Sequence, residues 1–317
     1  MAAVHRAAAP SRSTGPARRD AGATTAPPVG AVVAPASHTR PIVGRVTSPD
    51  LSPGAARTTP AVQVVAHRGS SDALPEHTLA AYRRALDEGA DGVECDVRLT
   101  ADGQLVCVHD RTIRRVSDGR GTVSAMTLAQ LEAYDFGSWK NGSTADPQAR
   151  TVLRLESLLE LVADCGRRVD LAIETKHPVR YRGRVEAELL KALARHGISG
   201  PGGPDERPQA RIMSFSSLAL GRIGRAAPEF SRVFLFDRMP ALRRSPGGLL
   251  PGGAGIAGPG IELVRARPEL VPALRRAGHQ VHVWTVDEPG DVELCLELGV
   301  SAIITNRPAE VLARLGR

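Results

Sequence analysis

Aromatic residues are scarce: five Phe, three Tyr and two Trp make up 3% of the 317 residues. Leu, Val, Ile and Ala must then fill the core, which suits a layered α/β protein better than an aromatic-rich β-sandwich. The apolar share of 42% is enough for a sizeable core. Cysteine is sparse as well. Cys95, Cys107, Cys165 and Cys295 lie in apolar segments without C-x-x-C spacing. That argues against a zinc site or a disulfide framework and for buried, reduced thiols. No run approaches the roughly 20 apolar residues of a transmembrane helix, so no stable membrane anchor is expected. The N-terminal arginines are not followed by the continuous apolar core of a signal peptide. A cytoplasmic location is expected, with secretion left open.

Charge is unevenly placed. Of the formal +7, residues 1–60 carry seven Arg against Asp20 and Asp50 (7 − 2 = +5). The remainder holds 41 − 7 = 34 basic and 34 − 2 = 32 acidic residues, only +2. A nucleic-acid binder would show a basic stripe with interleaved aromatics on its folded part; none is present, and no nucleic-acid partner is expected. Residues 1–60 are rich in Ala, Pro, Thr, Ser, Gly and Arg without helical or strand period. Such a segment buries too little to offset its ordering entropy and is expected to be a disordered tail.

From residue 61 a βα alternation sets in. VQVVAHRG (62–69) reads as a strand, and 78–88 as an amphipathic helix ending at Gly89. DGVECDVRLT (91–100) and QLVCVH (104–109) read as strands joined by a turn, followed by a loop-rich stretch over 111–150. Helix 155–165, strand 169–176, helix 184–196, strand 210–216, helix 218–227 and strand 231–237 come next. A Gly/Pro-rich stretch (246–260) then leads into IELV (261–264) as the following strand. Helix 268–277, strand 280–287, helix 290–298, strand 301–305 and helix 309–315 complete the pattern. Strands separated by helices indicate a parallel sheet, and about eight such units over roughly 250 residues is the size of a (β/α)8 barrel. A doubly wound sheet would want G-x-G-x-x-G after the first strand; this chain has AHRGSSDAL there.

In such a barrel, functional groups lie at the C-terminal ends of the strands. His67 and Arg68 end the first strand, Glu94 and Asp96 lie on the second, His109 and Asp110 follow QLVCV, and Glu174 and Lys176 end the next. Alternation along a strand points Glu94 and Asp96 one way and Cys95 the other. Carboxylates about 6–7 Å apart on one face repel unless a cation lies between them. Three carboxylates without soft ligands suit a hard cation, Ca2+ or Mg2+, rather than zinc. Two histidines beside it are candidates for proton transfer, and Arg68 and Lys176 would face an anion such as phosphate. Together these groups indicate phosphoester chemistry. Each has a plainer reading: a strand-end histidine is commonly structural, and paired carboxylates can be solvated charges at a barrel rim. Their convergence on one face favours function. His282 is expected to pack in the core, most of His77, His177, His196 and His279 to have no role, and Trp284 to line a ligand wall.

AHRGSSDALPEHTLAAYRRALDEGADGVECDVRLTADGQLVCVHD (66–110) closely resembles the signature region of glycerophosphodiester phosphodiesterases. The similarity continues through DFGSW (135–139), IETK (173–176), MSFS (213–216), VWTVD (283–287) and IITNRP (303–308). It covers 61–317 and leaves only the tail outside. The resemblance implies a (β/α)8 TIM barrel, with the small insertion of 111–150 near its mouth. It implies hydrolysis of a small-molecule glycerophosphodiester to sn-glycerol 3-phosphate and an alcohol. Glu94, Asp96 and Glu174 match the family's ligands for one divalent cation, Ca2+ or Mg2+. His67 and His109 match its acid/base pair, Arg68 and Lys176 its phosphate contacts, and Trp284 its glycerol wall. Glu76 falls on a position near the site. Arg154 stands where the family usually has Thr, and Asn306 where Asp is common, which bears on substrate preference and loop shape. Two alternatives stay open: a lysophospholipase D-like enzyme, for which the insertion offers only Phe136 and Trp139 as large apolar groups, and a barrel that binds phosphodiesters without cleaving them. No feature specifies an oligomeric state.

Overall fold

A computed structural model describes residues 62–140, 142, 146–202, 207–239 and 249–317. The expected tail, 1–60, lies outside the described residues. Eight parallel strands close on themselves in chain order: β1 (Gln63–His67), β2 (Gly92–Leu99), β4 (Asp170–Thr175), β5 (Ala210–Ser214), β6 (Ser231–Phe236), β7 (Ile256–Pro259), β8 (Gln280–Val283) and β9 (Ala302–Thr305), with β9 paired back to β1. The short β3 (Leu105–Cys107) adds antiparallel to the outer end of β2. Helices α1 (Leu79–Asp87), α3 (Leu155–Ala163), α4 (Arg184–Arg195), α5 (Ser217–Ala226), α6 (Ile261–Ala266), α7 (Leu270–Arg276), α8 (Pro289–Leu298) and α9 (Pro308–Arg314) follow or separate the strands. This is a (β/α)8 barrel.

Alternation along the strands sorts side chains into two cores. Val65, Ala172, Met213, Val233, Leu235, Ile256, Ala302 and Ile304 point inward and fill the middle of the barrel. Their neighbours, such as Ala66, Cys95 and Ile173, point outward against helical leucines. Helix α4 shows the matching stripe: Val185, Leu189, Ala192 and Leu193 are buried at helical spacing. Removing one such side chain, as in Leu189→Ala, costs about 2–5 kcal/mol.

The insertion has its own small core, in which Phe136 packs with Val108, Ile113, Val123 and Leu131. Its helix α2 (Leu128–Glu132) starts at a capping box, Thr127 and Gln130 each bonding the other's backbone N–H. Phe136 is therefore not an apolar group of the mouth, as the sequence had suggested, whereas Trp139 is exposed.

Two further expectations are corrected. IELV is not a strand: Ile261–Ala266 is α6, and the strand is the preceding IAGP, 256–259. Glycine inside that strand is a packing requirement, because a Cβ on Gly258 would lie 2.6 Å from Leu235 Cδ2. All four cysteines are free, but Cys165 is only partly buried, since it follows the last turn of α3 toward solvent.

Candidate active site

The strand register assembles the acidic groups. His67 pairs with Glu94 across β1–β2, and Asp96 with Glu174 across β2–β4. Carboxylate oxygens of Glu94, Asp96 and Glu174 all lie within 4.8 Å of one another, and all three residues are buried. Burial, then the Asp96 charge, pushes Glu94 far above the usual carboxylate range and Glu174 up to about 8. Burial also opposes ionisation of Asp96, but Lys176, Arg68 and His77 outweigh it and hold its pKa below the ordinary value. Lys176 Nζ lies 2.9 Å from Asp96 Oδ1 and 2.7 Å from Glu174 Oε2. Three buried oxygen donors that resist ionising together, with no sulfur or nitrogen among them, fit a hard divalent cation.

The turn after β1 explains the His-Arg-Gly order. Arg68 has φ 60° and Gly69 φ 87°. A Cβ on Gly69 would lie 2.7 Å from the Ala81 carbonyl carbon, so the turn can pack on α1 only as glycine. Thr78 caps α1, accepting from the Ala81 N–H. Arg68 consequently folds back into the mouth, with Nε 3.1 Å from Asp96 Oδ2 and Nη1 2.9 Å from Glu76 Oε1. Glu76 is also held by Arg115 from the insertion, at 2.6 Å.

The two histidines differ in their partners. His67 Nδ1 lies 2.7 Å from Asn306 Oδ1, and Asn306 Nδ2 donates to Asp287 Oδ2 at 2.6 Å. That orients the amide oxygen toward His67, so Nδ1 carries the hydrogen and Nε2, 3.9 Å from Glu94 Oε2, keeps its lone pair. Burial, then the Arg68 charge, lowers the His67 pKa to about 3. His109 Nδ1 lies 2.7 Å from Asp110 Oδ1, and Arg115 holds the other Asp110 oxygen. The His109 pKa is lowered, chiefly by burial and against the pull of Asp96. Trp284 Nε1 donates to the Gly258 carbonyl at 2.8 Å, and its ring meets Phe215 edge-on at 5.4 Å.

Thus His67, Arg68, Glu76, Glu94, Asp96, Glu174 and Lys176 form one connected cluster, His109 joins it through Asp110 and Arg115, and Trp284 stands at the end of β8. Several neighbours were not picked out from the sequence. His77 is buried with Nε2 2.9 Å from Asp96 Oδ2, and Nδ1 lies 2.8 Å from Tyr82 Oη. Tyr82 gives its hydroxyl hydrogen to the Glu94 carbonyl at 2.9 Å, so its oxygen accepts from His77 Nδ1. Burial lowers the His77 pKa against the hydrogen bond and charge of Asp96. Its signal was its place in PEHT, just before the α1 cap. Asp287 and Phe215 had no local signal beyond lying in the matched segments, Asn306 stood out there only as a departure from Asp, and Arg115, in the insertion, had none.

Titratable groups so concentrated at the C-terminal end of a parallel barrel put the chain among the (β/α)8-barrel enzymes, whose chemistry is carried by that end. Residues 67–310 match the Glycerophosphoryl diester phosphodiesterase family. The "Probable glycerophosphodiester phosphodiesterase 1" of Mycobacterium tuberculosis is 48% identical over 257 residues, 80% of this chain and 92% of that protein. The glycerophosphodiester phosphodiesterase of Bacillus subtilis is 32% identical over 251 residues, 78% of this chain and 84% of that one. Among solved structures, an Oleispira antarctica phosphodiesterase in complex with the product sn-glycerol-3-phosphate superposes with a TM-score of 0.71 at 26% identity, over 80% of this chain and 97% of that chain. The chain belongs to the glycerophosphoryl diester phosphodiesterase family and is a phosphoric diester hydrolase. Among the described residues no helix is long and apolar enough to cross a membrane.

Proposed function

We propose that the protein hydrolyses glycerophosphodiesters to sn-glycerol 3-phosphate and an alcohol, using one divalent cation and the histidines His67 and His109. The observation that carries this reading is the meeting of three buried carboxylates with Arg68 and the open Nε2 of His67 at one barrel mouth. Glu94, Asp96 and Glu174 would hold the cation, Ca2+ or Mg2+. Such a cation neutralises charge that develops on the phosphoryl oxygens.

The chain's own residues do the rest. Arg68, fixed by Glu76, offers its guanidinium to the phosphate. Lys176 balances the carboxylates and presents its ammonium to the same anion. Trp284, braced by Phe215, walls the glycerol side. His67 enters neutral, so its Nε2 accepts the proton of the attacking oxygen, whether water or the substrate's 2-hydroxyl. Burial lowers the His109 pKa, but its Nδ1 faces the Asp110 carboxylate, which opposes that shift, where His67 has only an amide. His109 is therefore the one assigned the role of acid. It delivers a proton to the departing alkoxide.

A second reading, a lysophospholipid as the diester, is favoured by the exposure of Phe215 and Leu218 where β5 leads into α5. Purified protein would be assayed on sn-glycero-3-phosphocholine and on a lysophospholipid, before and after EDTA and with Ca2+ or Mg2+ restored. Release of glycerol 3-phosphate that EDTA stops and a cation restores is expected. Turnover of the lysolipid alone would replace the substrate class, and EDTA-insensitive turnover would refute the cation.

A further inference from the structure

At the opposite, N-terminal end of the barrel lies a cavity of about 440 Å3, reached by Gln63, Arg168, Asp170, Arg211, Ser301 and His282. The apolar layer of Val65, Ala172, Met213, Val233, Ala302 and Ile304 fills the barrel above it, so it is separate from the mouth. Arg211 is 8% exposed, yet two of its three guanidinium nitrogens, Nε and Nη2, have no hydrogen-bond partner among the described residues. The third, Nη1, donates to Gln63 Oε1 at 2.9 Å. The nearby carboxylate is already engaged: Asp170 accepts from Gln63 Nε2 at 3.1 Å and from Arg168 Nε at 2.9 Å. Nε and Nη2 are not two arbitrary vacancies in the bonding. They form one edge of the planar guanidinium, the edge that takes two oxygens of a phosphate or carboxylate side-on. His282, 2% exposed, leaves its Nδ1 equally without a partner.

A buried guanidinium with an unfilled fork is costly unless something pairs with it. Burial pulls the Arg211 pKa down to about 10 against the attraction of Asp170, which expresses the same cost. The lining carries Arg168, Arg211 and Arg275 against Asp170, a balance of 3 − 1 = +2. That suits a dianion, and a phosphomonoester carries about −1.5 to −2 at neutral pH.

We propose that this end of the barrel is a second anion site, in which Arg211 takes inorganic phosphate or a small phosphomonoester side-on, with His282 as a further polar partner. It lies outside the catalytic machinery and does not depend on the reaction proposed above.

The test is calorimetric titration of inorganic phosphate into the full chain in EDTA, for wild type, Arg211→Met and Arg68→Met. The expected result is a saturable site that survives in Arg68→Met and is weakened at least about tenfold in Arg211→Met, the loss of one charge-assisted bidentate pair. Diester hydrolysis by Arg211→Met should stay near wild type. Unchanged binding in Arg211→Met, or loss in Arg68→Met, would overturn the proposal. Acetate binding as tightly as phosphate would reassign the site to carboxylates and overturn the phosphate class. Should Arg211→Met not fold, Arg211→Lys keeps the charge but not the fork and is expected to lose the site. The ring resonances of His282 in the wild type should also shift with phosphate; if they stay fixed through saturation, the idea fails.

Discussion

His77→Phe keeps a ring in the buried slot behind Asp96 and removes both of its nitrogens. Two contacts are lost, that of Nδ1 with Tyr82 Oη at 2.8 Å and that of Nε2 with Asp96 Oδ2 at 2.9 Å, and only the second bears on the carboxylate. A hydrogen bond to a charged group contributes about 1.5–3 kcal/mol. The carboxylate is not orphaned, because Arg68 at 3.1 Å and Lys176 at 2.9 Å still face it, so the lower half of that range applies. At about 1.4 kcal/mol per factor of ten, a cation held by Asp96 should bind roughly ten- to a hundredfold more weakly, the range found when partners of metal-ligating groups are removed. The assay is diester hydrolysis by EDTA-stripped enzyme against free Ca2+ or Mg2+. The activation midpoint should rise by that factor, while the rate at saturating cation falls far less. His77 has φ 59°, a conformation phenylalanine tolerates poorly and asparagine better. His77→Asn, which can still offer an N–H, should recover part of the affinity, and melting curves would register any global loss. A midpoint unmoved in both variants would refute the view that His77 orients Asp96 for a cation.

Three other outcomes are expected. His67→Ala and His109→Ala should each lower kcat by roughly 10² to 10⁴. With a p-nitrophenyl leaving group, which needs no proton, the His109→Ala loss should shrink and the His67→Ala loss persist; equal shrinkage would break the assignment of base and acid. Burial opposes ionisation of Glu76, but the Arg115 hydrogen bonds and the Arg68 charge prevail and bring its pKa from 4.5 to about 2. A carboxyl lowered on folding stabilises fully above its unfolded pKa, and that stability is lost as pH falls through the folded one. Urea unfolding between pH 5 and 2 should therefore show Glu76→Gln less pH-dependent than wild type, and parallel profiles would contradict this. Gly69→Ala places a Cβ against the Ala81 backbone at φ 87°. It should destabilise the fold by at least the roughly 1–2 kcal/mol of a left-handed residue, read as a lower denaturation midpoint, and displace Arg68; an unchanged midpoint and KM would show the turn to be pliable.

Much of the barrel was legible because its cues are local. Alternation in VQVVAHRG and DGVECDVR sets which side chains face inward, so Glu94 and Asp96 could be put on one face before any strand was paired. Helical stripes such as that of α4 and caps such as Thr78 likewise depend on residues a few positions apart. IELV misled because a short apolar run is the same signal in a strand and in a buried helix turn, whereas the Gly and Pro of IAGP weaken the strand signal, although packing on Leu235 requires the glycine. Phe136 misled similarly, since nothing nearby in sequence reveals that the insertion closes a core of its own.

What the sequence by itself determined is the order of elements, the inward face of each strand and the kinds of group at the strand ends. Only the closed barrel decided which of those groups meet. It brings Asn306, 239 residues away, to His67, sets Asp96 beside Glu174, and turns His77 under Asp96. It also leaves Arg211 and His282 facing a cavity at the far end. Side-chain direction follows from the covalent chirality of each residue and its immediate neighbours. Proximity across strands follows from register and closure, which are fixed only when the apolar faces of the whole ring are buried at once.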